Sequence, residues 1–313
     1  MNQTHSSTCM TQARTGRFNA SLPVVVACAT LLFGAAEPAS AQATSNALVP
    51  AQAPAREGLA PIGDTHLWYW DTGGEGVPVV LLHPASGSGL IWGYQQPVLA
   101  KAGYRVIGYS RRSYYGSDPM AKERPGIGSA DLHALIEYLG LKKFNVVGSA
   151  AGGTIATDYA LSHPDRLDGL VIADNAAGVR DGDIAKAASN ARIKGFDDMP
   201  VEFRELGPSY RAVNPEGARL WTELAHKAVT GGEFRQSVAN EITTAKLEGM
   251  KVPTLLITGD ADLITPPSIM RMVAQHIPGS EISIVAEAGH SVYWEQPDIF
   301  NRAVLSFLAK RAK

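Results

Sequence analysis

Short apolar runs alternate with stretches of helical spacing from residue 63 onward. Strands are predicted at 66–70, 78–82, 105–109, 144–147, 170–173, 254–258 and 282–285. Helices are predicted at 130–139, 154–162 and 299–310, where apolar residues recur every three or four positions. Continuous apolar strands separated by helices are typical of a parallel sheet that is covered on both faces. The pattern therefore predicts an α/β fold with a mostly parallel central sheet flanked by helices.

One long segment interrupts this alternation. Residues 177–247 are more polar and have helical spacing, so we expect a helical cap inserted into the fold. The core is then expected to comprise residues 63–176 and 248–313. Residues 42–62 are rich in Ala and Pro and show no apolar period, which predicts a linker.

The first 41 residues have the features of a signal peptide. Arg14 and Arg17 precede an apolar run at 22–36 that is too short to span a bilayer comfortably. Ala39-Ser40-Ala41 then supplies the small residues of a cleavage site, so cleavage is predicted after Ala41. The sequence therefore predicts a periplasmic or secreted protein without a membrane span.

Both cysteines, Cys9 and Cys28, lie inside this segment. A mature chain that begins after Ala41 has no thiol, which excludes cysteine catalysis and disulfides. One alternative stays open: residues 25–28 resemble a lipoprotein signal, which would anchor the protein through a lipidated Cys28.

Composition narrows the possible functions only a little. The chain has 313 residues, 45% hydrophobic and 19% charged, with a formal net charge of −2. These values are ordinary for a globular enzyme that acts on a small molecule, and they exclude a disordered chain. A nucleic-acid-binding surface would need a basic excess, so no nucleic-acid partner is expected. The oligomeric state is not predicted.

Five segments carry the candidate chemistry. They lie at 81–87 (LLHPASG), 110–118 (SRRSYYGSD), 147–153 (VGSAAGG), 259–262 (GDAD) and 288–290 (AGH), in that order. Together they resemble the α/β-hydrolase family of esterases, lactonases, C–C bond hydrolases and haloperoxidase-like proteins. The resemblance covers about residues 64–312.

The resemblance implies a nucleophile elbow at 148–152. In the family, the middle residue of Gly-x-Ser-x-Gly is the nucleophile, and here that residue is Ala150. Gly148, Gly152 and Gly153 fit a tight turn that tolerates only small neighbours. Alanine has no heteroatom, so an acyl-enzyme cannot form at position 150.

The resemblance places the remaining catalytic groups on residues that are present. His290 corresponds to the family's base, and Asp262 to the acid that orients the base. The oxyanion hole is expected to use the backbone N–H groups of Ala85 and Ala151. Pro84 has no N–H of its own but leaves Ala85 free to donate.

Several interpretations of Ala150 stay open. The His290–Asp262 dyad is expected to act as a general base without a covalent nucleophile. It would either activate water to hydrolyse an activated ester, lactone or C–C bond, or abstract a substrate proton in lyase or cofactor-free oxygenase chemistry. Alternatively, Ser149 or Ser86 replaces the missing hydroxyl. In a third interpretation the protein is catalytically inert and binds a small ligand. In a fourth, Ala150 is an introduced substitution that inactivates the enzyme.

No cofactor is expected. The sequence contains no metal-ligand cluster and no dinucleotide-binding or phosphate-binding glycine motif, so neither a metal nor a nucleotide cofactor is predicted.

Overall fold

A computed structural model describes residues 49–230 and 235–311, which belong to one compact unit, Thr44–Lys313. The predicted signal peptide, its cleavage site and Cys28 lie outside the described residues. The strands are β1 (Arg56–Ile62), β2 (Thr65–Asp71), β3 (Pro78–Leu82), β4 (Arg105–Tyr109), β5 (Phe144–Ser149), β6 (Leu167–Ala173), β7 (Thr254–Gly259) and β8 (Glu281–Val285). No helix in the described part of the chain is both long and apolar enough to span a bilayer.

The helices alternate with these strands. They are α1 (Gln96–Lys101), α2 (Gly128–Tyr138), α3 (Ala151–Ser162), α4 (Gly182–Ala191), α5 (Val201–Glu205), α6 (Pro208–Val213), α7 (Pro215–Ala228), α8 (Thr244–Glu248), α9 (Pro267–Gln275), α10 (Val292–Glu295) and α11 (Pro297–Ala309). Short 3-10 helices lie at Gly89–Trp92, Pro164–Arg166 and Phe196–Asp198. Helices α4–α8 form the segment between β6 and β7, which we call the cap.

The described strands form one sheet in the order β1-β2-β4-β3-β5-β6-β7-β8. β1 and β2 are antiparallel to their neighbours, and all other pairs are parallel. The mostly parallel α/β fold predicted from the alternating pattern is therefore confirmed. The carboxyl ends of β3, β5, β6 and β7 consequently meet at one edge of the sheet, where ligands of such sheets bind.

Burial explains why the central strands could be recognised from sequence. Every residue of β5 and β7 is buried, because helices pack on both faces of the sheet. Burying one Val, Leu or Ile side chain contributes about 1.5–3 kcal/mol, so continuous apolar runs favour the centre of the sheet. β8 lies at the edge of the sheet, and its residues are mostly half-buried or exposed.

The prediction of a linker at 42–62 is wrong in its last part. Residues Arg56–Ile62 form β1, which pairs with β2 along its whole length. Ala60 and Ile62 are buried, whereas the alternating residues Leu59 and Pro61 are exposed. In such an edge strand only every second residue is buried, so few of its residues need to be apolar. Pairing with β2 then contributes much of what stabilises the strand.

Candidate active site

A strained turn joins β5 to α3. Ala150 has φ 47° and ψ −116°, a backbone conformation that L-residues rarely adopt, and it is 8% exposed. A side chain at Gly148 would collide with the Gly152 carbonyl, and one at Gly152 would collide with the carbonyl of Leu82. Glycine is therefore required at positions 148 and 152, as the family resemblance implied.

His290 and Asp262 lie in two different loops and are hydrogen-bonded to each other. His290 Nδ1 is 2.8 Å from Asp262 Oδ2 and 3.0 Å from Oδ1. Asp262 Oδ1 also accepts from the backbone N–H groups of Ile264 at 2.7 Å and Thr265 at 2.8 Å, which fixes the carboxylate. Because Nδ1 is engaged, Nε2 is the ring nitrogen that can face a substrate.

Charge around His290 strongly favours its protonated form. Burial by itself lowers the pKa of His290. The adjacent Asp262 carboxylate raises it by more than burial lowers it, and Glu205 and Asp174 raise it further. The pKa of His290 therefore rises to about 10. At neutral pH the resting ring is an imidazolium that can donate a proton.

Three buried acids near His290 were missed by the sequence analysis: Asp174, Glu205 and Glu295. Asp174 follows β6 directly, and neither of its carboxyl oxygens completes a hydrogen bond of normal geometry, although the backbone N–H of Val292 lies beside the carboxyl. Burial first, and then Asp262, raise the pKa of Asp174 well above its ordinary value, which favours a neutral acid. An acid directly after an apolar strand was the available sequence signal for Asp174.

Glu295 ties the His290 loop to the cap. Its carboxylate accepts from the backbone N–H groups of Gly207 at 2.7 Å, Gly289 at 3.0 Å and Ser291 at 3.2 Å. Burial raises the pKa of Glu295 to about 7, although these three donors favour its ionised form. Glu295 is therefore a positioning residue for the loop that carries His290.

Close packing at Gly289 depends on the absence of a side chain. A Cβ at Gly289 would collide with the backbone N of Gly207, so the cap segment and the His290 loop are in direct backbone contact. We expect Gly289→Ala to lower the free energy of unfolding by about 1–3 kcal/mol through overpacking, which denaturant unfolding measures. Gly249→Ala is the control, because a Cβ there meets only ordinary contacts. Equal stability of the two variants would contradict this account.

The predicted oxyanion-hole residues lie on the loop after β3 and at the start of α3. Ala151 is the first residue of α3, so its N–H belongs to the positive end of the helix. Ala85 is exposed, and its carbonyl accepts a hydrogen bond from the Tyr114 hydroxyl at 3.2 Å. Two buried side chains fix the backbone just before Ala85. The His83 ring is hydrogen-bonded to the Pro84 carbonyl at 2.7 Å, and Arg111 Nη2 donates to the same carbonyl at 3.0 Å.

The two candidate substitute nucleophiles have different surroundings. Ser149 is the last residue of β5, is fully buried, and its hydroxyl makes no hydrogen bond. The hydroxyl therefore lacks the base that would activate it. Ser86 is half-buried, and its hydroxyl lies beside the Glu205 carboxyl. The hydroxyl lowers the pKa of that carboxyl but does not complete a hydrogen bond of normal geometry. Neither serine is hydrogen-bonded to His290.

A cavity of about 490 Å³ lies apart from the dyad. The indoles of Trp68, Trp70, Trp92 and Trp294 line it, together with residues of the 49–55 segment and Leu220 and Leu224 of α7. His290, Asp262 and Ala150 do not line it, so its shape is no guide to what binds at His290. Within residues 49–230 and 235–311, no cluster of three or more His, Cys, Asp or Glu side chains is arranged to hold a metal ion.

Comparisons with known proteins agree with this architecture. AB hydrolase superfamily protein YisY of Bacillus subtilis (strain 168) is 28% identical over 256 residues, 75% of this chain and 92% of that protein. A 2-hydroxy-6-oxononadienedioate/2-hydroxy-6-oxononatrienedioate hydrolase of Pseudomonas putida is 25% identical over 264 residues, 78% of this chain and 92% of that protein. A thermophilic esterase from Thermogutta terrifontis (malate bound) superposes with a TM-score of 0.68 at 25% identity, covering 82% of this chain and all of that one.

A family model described as "Alpha/beta hydrolase family" matches residues 79–303. This range runs from β3 into α11 and includes the elbow, the cap and both residues of the dyad. The chain belongs to the alpha/beta hydrolase family.

Proposed function

We propose that this protein hydrolyses a small, activated carbonyl compound by direct attack of water, without a covalent intermediate. The observation that carries the proposal is the His290–Asp262 hydrogen bond of 2.8 Å in a chain whose elbow residue is Ala150. An esterase and a hydrolase of an unsaturated oxo-acid are among its relatives, which supports an ester, lactone or activated C–C bond as the scissile bond. A metal or organic cofactor is not part of the proposal.

Each group has a defined role in this reaction. The N–H groups of Ala151 and Ala85 would bind the oxyanion that forms when water adds to the carbonyl, and one such donor is worth about 10²–10³ in rate. His290, held by Asp262, would donate its proton to the leaving group. Without a serine hydroxyl at position 150, water can approach the carbonyl over the Ala150 methyl group.

The test is turnover of nitrophenyl esters, lactones and vinylogous oxo-acids by the native protein. We expect steady-state hydrolysis without a burst, and no mass increase of the protein when the reaction is quenched. Ligand-dependent melting without turnover of any of these substrates would instead favour a binding protein. Release of a non-hydrolytic product would favour lyase or oxygenase chemistry on the same dyad.

The pH dependence follows from the protonation state of His290. Because its pKa is raised to about 10, the ring holds its proton throughout the neutral range and loses it as the pH rises through 10. If His290 donates the proton, kcat/KM should fall above about pH 10. An increase of kcat/KM up to pH 10 in a stopped-flow profile would show that the neutral ring acts as a base instead.

A further inference from the structure

The cap contributes one buried carboxyl that has an unpartnered oxygen and lies next to His290. Glu205 is the last residue of α5 and is 9% exposed, and its Oε2 makes no hydrogen bond. Its backbone carbonyl accepts from the backbone N–H of His290 at 2.8 Å. An unpartnered buried carboxyl costs free energy, so its persistence at this place calls for a role.

The Glu205 carboxyl also reaches the loop that carries the oxyanion donor. Ser86 directly follows Ala85, and its hydroxyl lies beside the carboxyl. The elbow packs on the strand that leads into this loop, because a Cβ at Gly152 would collide with the Leu82 carbonyl. Glu205 is thus placed between the His290 loop and the oxyanion loop, on the side of the site formed by the cap.

Direct attack of water needs a group that accepts its proton, and the other buried acids are unsuited. Asp262 is bonded to His290 and to two backbone N–H groups, and Glu295 is bonded to three such groups. Burial and Asp262 raise the pKa of both Asp174 and Glu205, and that of Asp174 rises well above its ordinary value. Glu205 differs from Asp174 in its position, because its carboxyl lies beside Ser86 on the loop that carries the oxyanion donor, and its Oε2 has no hydrogen-bond partner.

We propose that Glu205 is the base that takes the proton from the attacking water. This inference rests on the proposed function. Water oxygen forms a bond to the carbonyl carbon, its proton passes to Glu205, and the carbonyl π electrons move to the oxygen held by Ala85 and Ala151. The tetrahedral oxyanion then re-forms the carbonyl, the bond to the leaving group breaks, and the leaving group takes the His290 proton. Glu205 finally returns its proton to His290.

The groups around Glu205 determine the expected pH profile. Burial raises the pKa of Glu205, and Asp262 raises it further, whereas His290, Ser86 and Arg204 lower it. Hydrolysis needs Glu205 ionised and His290 protonated, so the profile of the native protein should have an acid limb from Glu205 and a basic limb from His290. Because the buried acids and His290 interact, the pKa values read from the two limbs belong to the whole group of carboxyls and His290 and not to single residues.

The test compares Glu205→Gln with Glu202→Gln, which removes a carboxylate one turn earlier on α5. We expect Glu205→Gln to lower kcat by about 10²–10⁴ and to remove the acid limb, and Glu202→Gln to leave both unchanged. Formate should restore part of the activity of Glu205→Ala, because it supplies a carboxylate in the vacated space. NMR titration of the His290 ring should give a lower pKa in folded Glu205→Gln, since one neighbouring negative charge is gone.

The outcomes separate this inference from the proposed function. If the native protein hydrolyses a substrate and Glu205→Gln stays within about threefold of it, Glu205 is not the base and the proposed function stands. A loss of kcat with an unchanged acid limb and no rescue of Glu205→Ala by formate would also overturn the role of Glu205. If the native protein hydrolyses no substrate, both proposals fail.

Discussion

Replacing His290 with alanine is expected to lower kcat/KM by about 10²–10⁴, because the proton donor held against Asp262 is lost. Asp262, at 2.8 Å from the ring, would remain but could not reach the leaving group. His276→Ala is the matched control, since His276 pairs with Glu248 at 2.8 Å outside the site. The measurement is hydrolysis of the best substrate of the native protein.

Stability must be separated from catalysis in this experiment. Removing a buried imidazolium leaves Asp262 without its charged partner, and such losses cost about 3–5 kcal/mol. His290→Gln keeps a hydrogen-bond donor for Asp262, so it provides a folded variant without the acid, and its melting temperature is measured alongside. Activity of folded His290→Gln within about threefold of the native value would remove His290 from the mechanism.

Ala150→Ser is expected to convert the site to covalent chemistry. The side chain at position 150 already sits in the strained turn with φ 47°, so adding a hydroxyl should not alter the fold. We expect a fluorophosphonate to label this variant and not the native protein. Because the hydroxyl needs a neutral His290 as its base, labelling should accelerate as the pH rises towards 10.

Ser149→Ala is the matched control for this gain of reactivity. The Ser149 hydroxyl is fully buried and has no hydrogen-bond partner, so Ser149→Ala should change neither labelling nor hydrolysis. Labelling of the native protein that disappears in Ser149→Ala or Ser86→Ala would instead establish a displaced nucleophile. If the fluorophosphonate labels neither the native protein nor Ala150→Ser, His290 cannot activate a hydroxyl at position 150.

The fold could be predicted from sequence where burial is nearly complete. The central strands β5 and β7 are buried throughout, so their sequences are continuous apolar runs that can be read directly. β1 was missed because an edge strand buries only alternate residues, and its pairing with β2 carries no local signal. The elbow was recognisable because its backbone contacts permit only small residues.

The sequence by itself predicted the mostly parallel sheet from its local hydrophobic pattern. The resemblance of its motifs to the α/β-hydrolase family placed the elbow at Ala150 and the dyad on His290 and Asp262. Only the tertiary structure decided which further charges surround His290. Glu205 is one acid among many in a polar cap segment, and it becomes distinctive because the cap folds onto the His290 loop and buries it. Burial strengthens electrostatic interactions by removing solvent, and which groups are buried together is a property of the folded chain.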